Sequence, residues 1–135
     1  MQRLTDALEF QTQALVLRAE RQRLIASNIA NADTPGYVAR DMDFARALRE
    51  ATGQASATAA KTTQPGHIPV AGGARAEAQL LYTRPAQDNL DGNSVDMDRE
   101  RAAFADNTVK YEATLRFING TVRTMLDAMK SHNQA

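Results

Sequence analysis

The sequence predicts a mainly α-helical fold in which long N- and C-terminal helices pair as a coiled-coil hairpin. A short second helix and a flexible middle insertion with room for a short strand lie between them. Three observations predict this. Apolar residues recur at helical spacing over both ends of the chain, a Pro-Gly pair interrupts the first repeat, and residues 53–73 hold hardly a large apolar side chain. The implied divisions are residues 1–33 (N-terminal coiled-coil helix), 34–52 (turn and short helix), 53–94 (insertion and loop) and 95–131 (C-terminal coiled-coil helix).

The first helix is carried by Leu4, Leu8, Gln11, Leu15, Arg18, Gln22, Ile25 and Ile29, which fall on the a and d sites of one heptad frame. Leu17 and Leu24 widen the stripe, and Thr5 or Asp6 could cap its start. A helix of about 28 residues is on the order of 40 Å long. Gln11, Arg18 and Gln22 on the seam argue against a helix that folds alone.

The repeat stops at Ser27-Asn28-Ile29-Ala30-Asn31-Ala32-Asp33-Thr34-Pro35-Gly36-Tyr37. Pro35 has no amide proton for a helix interior and pushes Thr34 towards extended geometry. Thr34-Pro35-Gly36-Tyr37 fits a type II turn, with Gly36 at the position that needs positive φ. Asn28, Asn31 and Asp33 have short polar side chains that can bond nearby backbone, which suits a helix end. After the turn, Asp41 or Asp43 can cap a short helix that carries Phe44 and Leu48 on one face and ends at Gly53.

Residues 53–73, rich in Ala, Thr, Gln, Gly and Pro, cannot bury enough surface to offset ordering entropy and are expected to be flexible. Ala78 to Tyr82 can form a short strand, stopped by Arg84-Pro85, and Gln87 to Asn93 is rich in turn formers. The C-terminal segment is the clearest signal. Phe104, Thr108, Tyr111, Leu115, Ile118, Val122, Met125 and Met129 step by three and four, and only Thr108 is not apolar. Asp96 or Asp98 supplies an N-cap, Glu100 suits the first turn, and Lys130 and His132 suit the last. The result is a helix of roughly 33 residues, about 50 Å long, built for a coiled-coil seam.

Composition removes several classes of function. Sixteen basic and sixteen acidic residues leave a formal net charge of +0, so a broad electrostatic footprint for nucleic acid or anionic lipid is not expected. Arg3, Arg18, Arg21 and Arg23 are interleaved with Asp6, Glu9 and Glu20, which reads as a solvated helix face. There is no cysteine, so no disulfide or thiolate metal site. His67 and His132 have no second ligand at helical spacing, and no nucleophile elbow, phosphate loop or dinucleotide fingerprint occurs. Aligned on Gly92, the segment from Gln87 to Asp98 loosely resembles a calcium loop, with Asn89 and Asp91 in ligand places. Gln87 at position one and Asp98 in place of a bidentate Glu make a helix-entry turn the better account. No catalytic residue, cofactor or metal is therefore expected. Met97, Met125 and Met129 fall on the seam, where packing accounts for them. Arg3, Asp6 and Glu9 break any apolar run at the N-terminus, and no run of 18 apolar residues occurs, so neither a secretory signal nor a membrane span is expected.

The string from Ser27 to Tyr37, followed by Ala39-Arg40-Asp41 and Asp43-Phe44, closely resembles the N-terminal signature of bacterial flagellar rod and hook proteins. The C-terminal half is similar to the same family: Asn93-Ser94-Val95-Asp96-Met97-Asp98 with Glu100, Arg101 to Asn107, Tyr111-Glu112-Ala113, Leu115 and Phe117-Ile118-Asn119. The resemblance covers about residues 4–48 and 91–129, and its details favour the proximal rod, with an FlgC-type protein as the alternative within the family. It implies a non-enzymatic structural subunit that polymerises through its terminal helices into a tubular drive shaft. It also implies export through the flagellar type III system without a cleaved signal, to a rod in the periplasmic space, where composition alone reads as cytoplasmic. The implied partners are further copies, other rod proteins of the FlgC, FlgF and FlgG type, the MS-ring adaptor FliE, the rod cap FlgJ and the export apparatus. In that setting Asn28, Asn31, Asp33, Thr34, Pro35, Gly36 and Tyr37 are the family motif, and Thr34 to Tyr37 aim the chain out of the helix layer. Leu8, Leu15, Ile25, Ile29, Phe44, Phe104, Tyr111, Leu115, Ile118, Val122 and Met125 are the expected packing residues between helices and subunits. Neighbouring subunits would then cover the polar breaks in the seam. The competing class is a soluble helical-hairpin adaptor that binds a partner helix, which needs the periodicity but not the turn.

Overall fold

In the computed structural model, residues 2–53, 80–82 and 90–133 are described. The order is α1 (Gln2–Ala30), β1 (Arg40–Met42), α2 (Phe44–Ala51), β2 (Leu80–Tyr82) and α3 (Met97–Asn133). The segment predicted to be flexible, and the part of the calcium-like loop from Gln87 to Asn89, lie outside the described residues.

α1, 29 residues long, spans about 44 Å, and α3, 37 residues long, spans about 56 Å. They run antiparallel: Asn28 reaches Glu100 at one level, and Gln22 and Arg18 reach Asn107 about two turns further along the pair. Followed down at the same rise, the pairing meets Gln2 near Leu126, so about two turns of α3 run past the described start of α1. Leu126 and Met129 there are more than half exposed.

α1 begins at Gln2, so Thr5 and Asp6 lie inside its first turns and the cap expected from them is not at the helix start. The other local expectations are met. Asp43 caps α2, accepting the Arg46 amide at 3.2 Å, and Asp96 caps α3, accepting the amides of Asp98 (3.1 Å) and Arg99 (3.2 Å). β2 falls within the stretch marked as strand-forming, but its partner does not come from there. Arg40–Met42, which carries no strand signal of its own, pairs antiparallel with it in the register Arg40 to Tyr82, Asp41 to Leu81 and Met42 to Leu80.

The buried apolar residues are Ala14, Leu17, Ile25, Ala39, Met42 and Ala47. They sit where α1 meets β1, α2 and α3. Most are small, and four fully buried side chains by volume are Ile25, Asn28, Asn93 and Asn107, three of them asparagines. The core of this fold is polar at its centre.

The row of α3 that faces α1 is a correction to the heptad reading. The sheltered positions are Met97, Glu100, Ala103, Asn107, Thr108, Tyr111, Thr114, Leu115, Ile118, Thr121 and Met125, with Asn107 and Thr114 buried. Thr108, Tyr111, Leu115, Ile118 and Met125 belong to the predicted row. Phe104, Val122 and Met129 do not face inward and remain 41%, 39% and 56% exposed. Asn107 explains the rotation. Its amide must reach the Arg18 carbonyl, which requires a close backbone approach that Thr and Ala allow and Phe and Val at those places would block.

Candidate assembly site

The turn region is held by a network centred on two asparagines. Asn28, the third residue from the end of α1 and 1% exposed, turns its amide onto the backbone of Arg40. Its Nδ2 donates to the Arg40 carbonyl at 2.7 Å, and its Oδ1 accepts the Arg40 amide at 3.0 Å. A side-chain amide thereby pairs with β1 as a neighbouring strand would. The remaining valences go to Glu100 Oε1 (3.2 Å) and the Tyr37 hydroxyl (3.3 Å), so all four are engaged. The Tyr37 hydroxyl also lies 3.2 Å from Ser27 Oγ.

Asn93 is 2% exposed and comes from the segment before α3. Its Nδ2 lies 2.9 Å from the carbonyls of Asn31 and Ala32 and 2.8 Å from that of Thr34. These carbonyls belong to the turn that follows α1, so a distant residue pins the chain where it leaves the helix. Asn93 Oδ1 accepts the Val95 amide at 2.8 Å. Beside it, the Gly36 amide donates to the Asp91 carbonyl (2.7 Å), the Ser94 amide to the Tyr37 carbonyl (3.0 Å), and the Ala39 amide to Ser94 Oγ (2.8 Å).

The turn itself has the expected shape. The Tyr37 amide donates to the Thr34 carbonyl at 3.2 Å and Gly36 has φ +73°, as a type II turn requires. Gly92, with φ +71°, faces it: a Cβ there would stand 3.7 Å from the Gly36 Cα. Asn31 bonds back to Ser27 and accepts the Thr34 hydroxyl, while Asp33 and Pro35 are exposed. Of the predicted turn residues, Asn28, Asn31, Thr34, Gly36 and Tyr37 are thus tied into one network.

A second polar set lies along the helix pair. Asn107, wholly buried, donates to the Arg18 carbonyl (2.9 Å) and Gln22 Oε1 (2.7 Å), and Gln22 Nε2 donates to the Thr108 hydroxyl (3.0 Å). The polar breaks at 18 and 22 are therefore used inside the subunit. Asn107 Oδ1 and Arg18 Nε are buried without a partner. The Arg18 guanidinium stands 4.2 Å from the Phe44 ring centroid, a cation–π contact. Burial and then the nearby Arg21 lower its pKa, and Asp106 opposes them. Arg21 forms a fork with Asp41, at 3.3 and 3.5 Å. Burial pushes the Glu100 carboxyl above its ordinary value, the Asn28 hydrogen bond opposes this, and Asp41 adds to it.

The predicted packing residues divide by place. Ile25 is buried; Leu8, Leu15, Ile29, Phe44, Tyr111, Leu115, Ile118 and Met125 are half-buried; Phe104 and Val122 are exposed. Phe10, Val16, Val109, Phe117 and Leu126 add further open apolar surface. Sequence reasoning placed Asn93 among turn formers and Glu100 in the first turn of a helix but missed their bonds to the motif, and it missed Ser94 and Asn107 as structural residues, although an Asn on the inner side of an apolar helix is a signal that could have marked Asn107. Among the described residues no cluster of three His, Cys, Asp or Glu side chains could hold a metal, and no helix is long and apolar enough to cross a membrane.

An antiparallel helix pair, locked at one end by asparagines and left apolar along its flank, defines a helical-hairpin protein. Residues 8–37 match the family described as Flagella basal body rod protein. The chain is 47% identical over 135 residues to the flagellar basal body rod protein FlgB of Proteus mirabilis (strain HI4320), covering 96% of this chain and 98% of that one. It is 46% identical over 140 residues to FlgB of Escherichia coli (strain K12), covering 98% and 99%. With FlgB of Cereibacter sphaeroides it shares 42% over 125 residues, covering 93% and 94%. The chain belongs to the FlgB family of flagellar basal body rod proteins.

Proposed function

We propose that this protein is a structural, non-enzymatic subunit of the proximal rod, polymerising through α1 and α3 into the tubular shaft that links the MS ring to the distal rod. The supporting observation is the outward apolar row of α3. Phe104, Val122 and Met129 lie along one flank of α3 that α1 leaves exposed, and apolar side chains placed so suit a second helix better than water. Leu8, Leu15, Ile29, Leu115, Ile118 and Met125, half-covered within the subunit, border it, and the Thr34–Tyr37 turn directs the chain out of the helix layer. In this reading the subunit leaves the cell through the flagellar type III system without a cleaved signal and takes its place in the periplasmic space. There it contacts further copies, FlgC-, FlgF- and FlgG-type rod proteins, FliE and, during growth, FlgJ.

The test is fractionation of cells that carry a tagged copy, with Phe104→Asp and Val122→Asp variants beside the wild type. Recovery of the wild type in detergent-resistant basal bodies is expected, with the variants helical but absent from that fraction and the cells non-motile. A wild-type protein found solely in the soluble cytoplasmic fraction of flagellated cells sinks the reading in favour of a helical-hairpin adaptor. Variants that assemble normally remove the outward row from it.

A further inference from the structure

We propose that residues 27–40 and 91–95 form a two-part latch: the N-terminal motif takes its shape only when Asn93 and Ser94 arrive, and both halves open and close as one unit. The partners of the motif's backbone carry the inference. The carbonyls of Asn31, Ala32 and Thr34 are met by Asn93 Nδ2, the Tyr37 carbonyl by the Ser94 amide, the Gly36 amide by the Asp91 carbonyl, and the Ala39 amide by Ser94 Oγ. Each of these partners lies 55 or more positions further along the chain. Within the motif the Asn31 carbonyl also accepts the Thr34 amide and the Thr34 carbonyl the Tyr37 amide, whereas the carbonyls of Ala32 and Tyr37 and the amides of Gly36 and Ala39 are met by the distant segment.

Burial makes the closure cooperative. Asn93, Ser94 and Ala39 are 2%, 6% and 1% exposed, so a half-docked state would bury amide groups without partners. Bringing the two segments together is one loop-closing event, after which each further bond adds little entropic cost. Asn28 extends the unit from the other side, joining Arg40 to Glu100 in the first turns of α3. Gly36 and Gly92 face each other at the contact with positive φ, which lets the two backbones meet without side chains between them. The motif is thus a receptor for the C-terminal segment, and the polar centre of the subunit registers that both ends of the chain are present. Closure of the subunit in this way does not depend on what its outer surfaces bind.

The test is amide hydrogen exchange by NMR on the full chain, followed at Gly36, Ala39, Arg40, Ser94 and Val95. In the wild type the opening equilibria of the five are expected to agree within about threefold, as for one opening unit. Asn93→Ala is expected to lower protection at all five by more than about tenfold while mid-helix amides of α1 and α3 stay protected. Ser94→Ala, which removes only the acceptor of the Ala39 amide, is expected to lower all five together by a smaller factor. Gly36 and Arg40 remaining protected in Asn93→Ala, with only Val95 exposed, overturns the latch and leaves a local cap. Should Asn93→Ala unfold the helices, the wild type and Ser94→Ala decide by the same criterion: unequal opening, or loss confined to Ala39, overturns it.

Discussion

Replacing Asn28 tests whether the asparagine network holds the fold. Asn28→Ala removes a 1%-exposed side chain that makes four hydrogen bonds, and leaves the Arg40 amide and carbonyl without partners. Each buried backbone group left unpaired costs about 1–3 kcal/mol. Arg40 is half-buried, so water recovers part of this, while the vacated space and the lost Tyr37 contact add to it. A loss of about 3 kcal/mol is expected, which for a chain of this size lowers Tm by roughly 10 °C. Asn28→Asp distinguishes hydrogen bonding from packing because it keeps the shape. Its second oxygen would face the Arg40 carbonyl and the Glu100 carboxylate, acceptor against acceptor at 2.7 and 3.2 Å. At neutral pH Asn28→Asp is therefore expected to be less stable than Asn28→Ala, and to recover as pH falls and the new carboxyl binds a proton. Urea denaturation followed by circular dichroism measures both, with an unchanged slope showing that only stability moved. A loss under about 1 kcal/mol in Asn28→Ala, or an Asn28→Asp as stable as wild type, refutes the reasoning.

Three further outcomes follow from the same geometry. Gly36→Ala meets no atom within 4 Å but must hold φ +73°, so a thermal melt should show a loss of about 1–2 kcal/mol, and Gly36→Asn a smaller one. Asn107→Leu alone strands Gln22, whereas Asn107→Leu with Gln22→Leu removes both polar groups together with the unpaired Asn107 Oδ1; the double variant should melt at or above the single one. Glu100 has a folded pKa above its unfolded value, so it opposes folding once ionised. Its stabilising share is complete below the unfolded pKa and is lost as pH rises through the folded one. Glu100→Gln keeps the acceptor for Asn28, so stability measured against pH should lose that downward step and equal or exceed wild type at neutral pH; a step that persists in the variant assigns it to another group.

Much of the fold was legible because its causes are local. The Pro35-Gly36 turn, the caps at Asp43 and Asp96 and the periodicity of both long helices each depend on residues a few positions apart. The candidate site was legible only as a string. That Asn28 and Tyr37 belong to a signature could be read, but that Asn28 acts as a strand edge for Arg40 could not, because Arg40–Met42 becomes a strand only against Leu80–Tyr82. The family resemblance supplied the likeness of the two ends, without the bonds that join them.

The sequence by itself determined where the helices run and stop, since backbone propensity and hydrophobic spacing act within one or two turns. Tertiary structure decided which face of α3 turns inward. Heptad spacing favours Phe104 and Val122, yet the buried amide of Asn107 needs the Arg18 carbonyl, and an unmet polar group costs more than an apolar side chain left half in water. It also decided that Asn93 holds the turn after α1, about 60 positions away. That bond has no periodicity to announce it, because it exists only once the two ends of the chain have met.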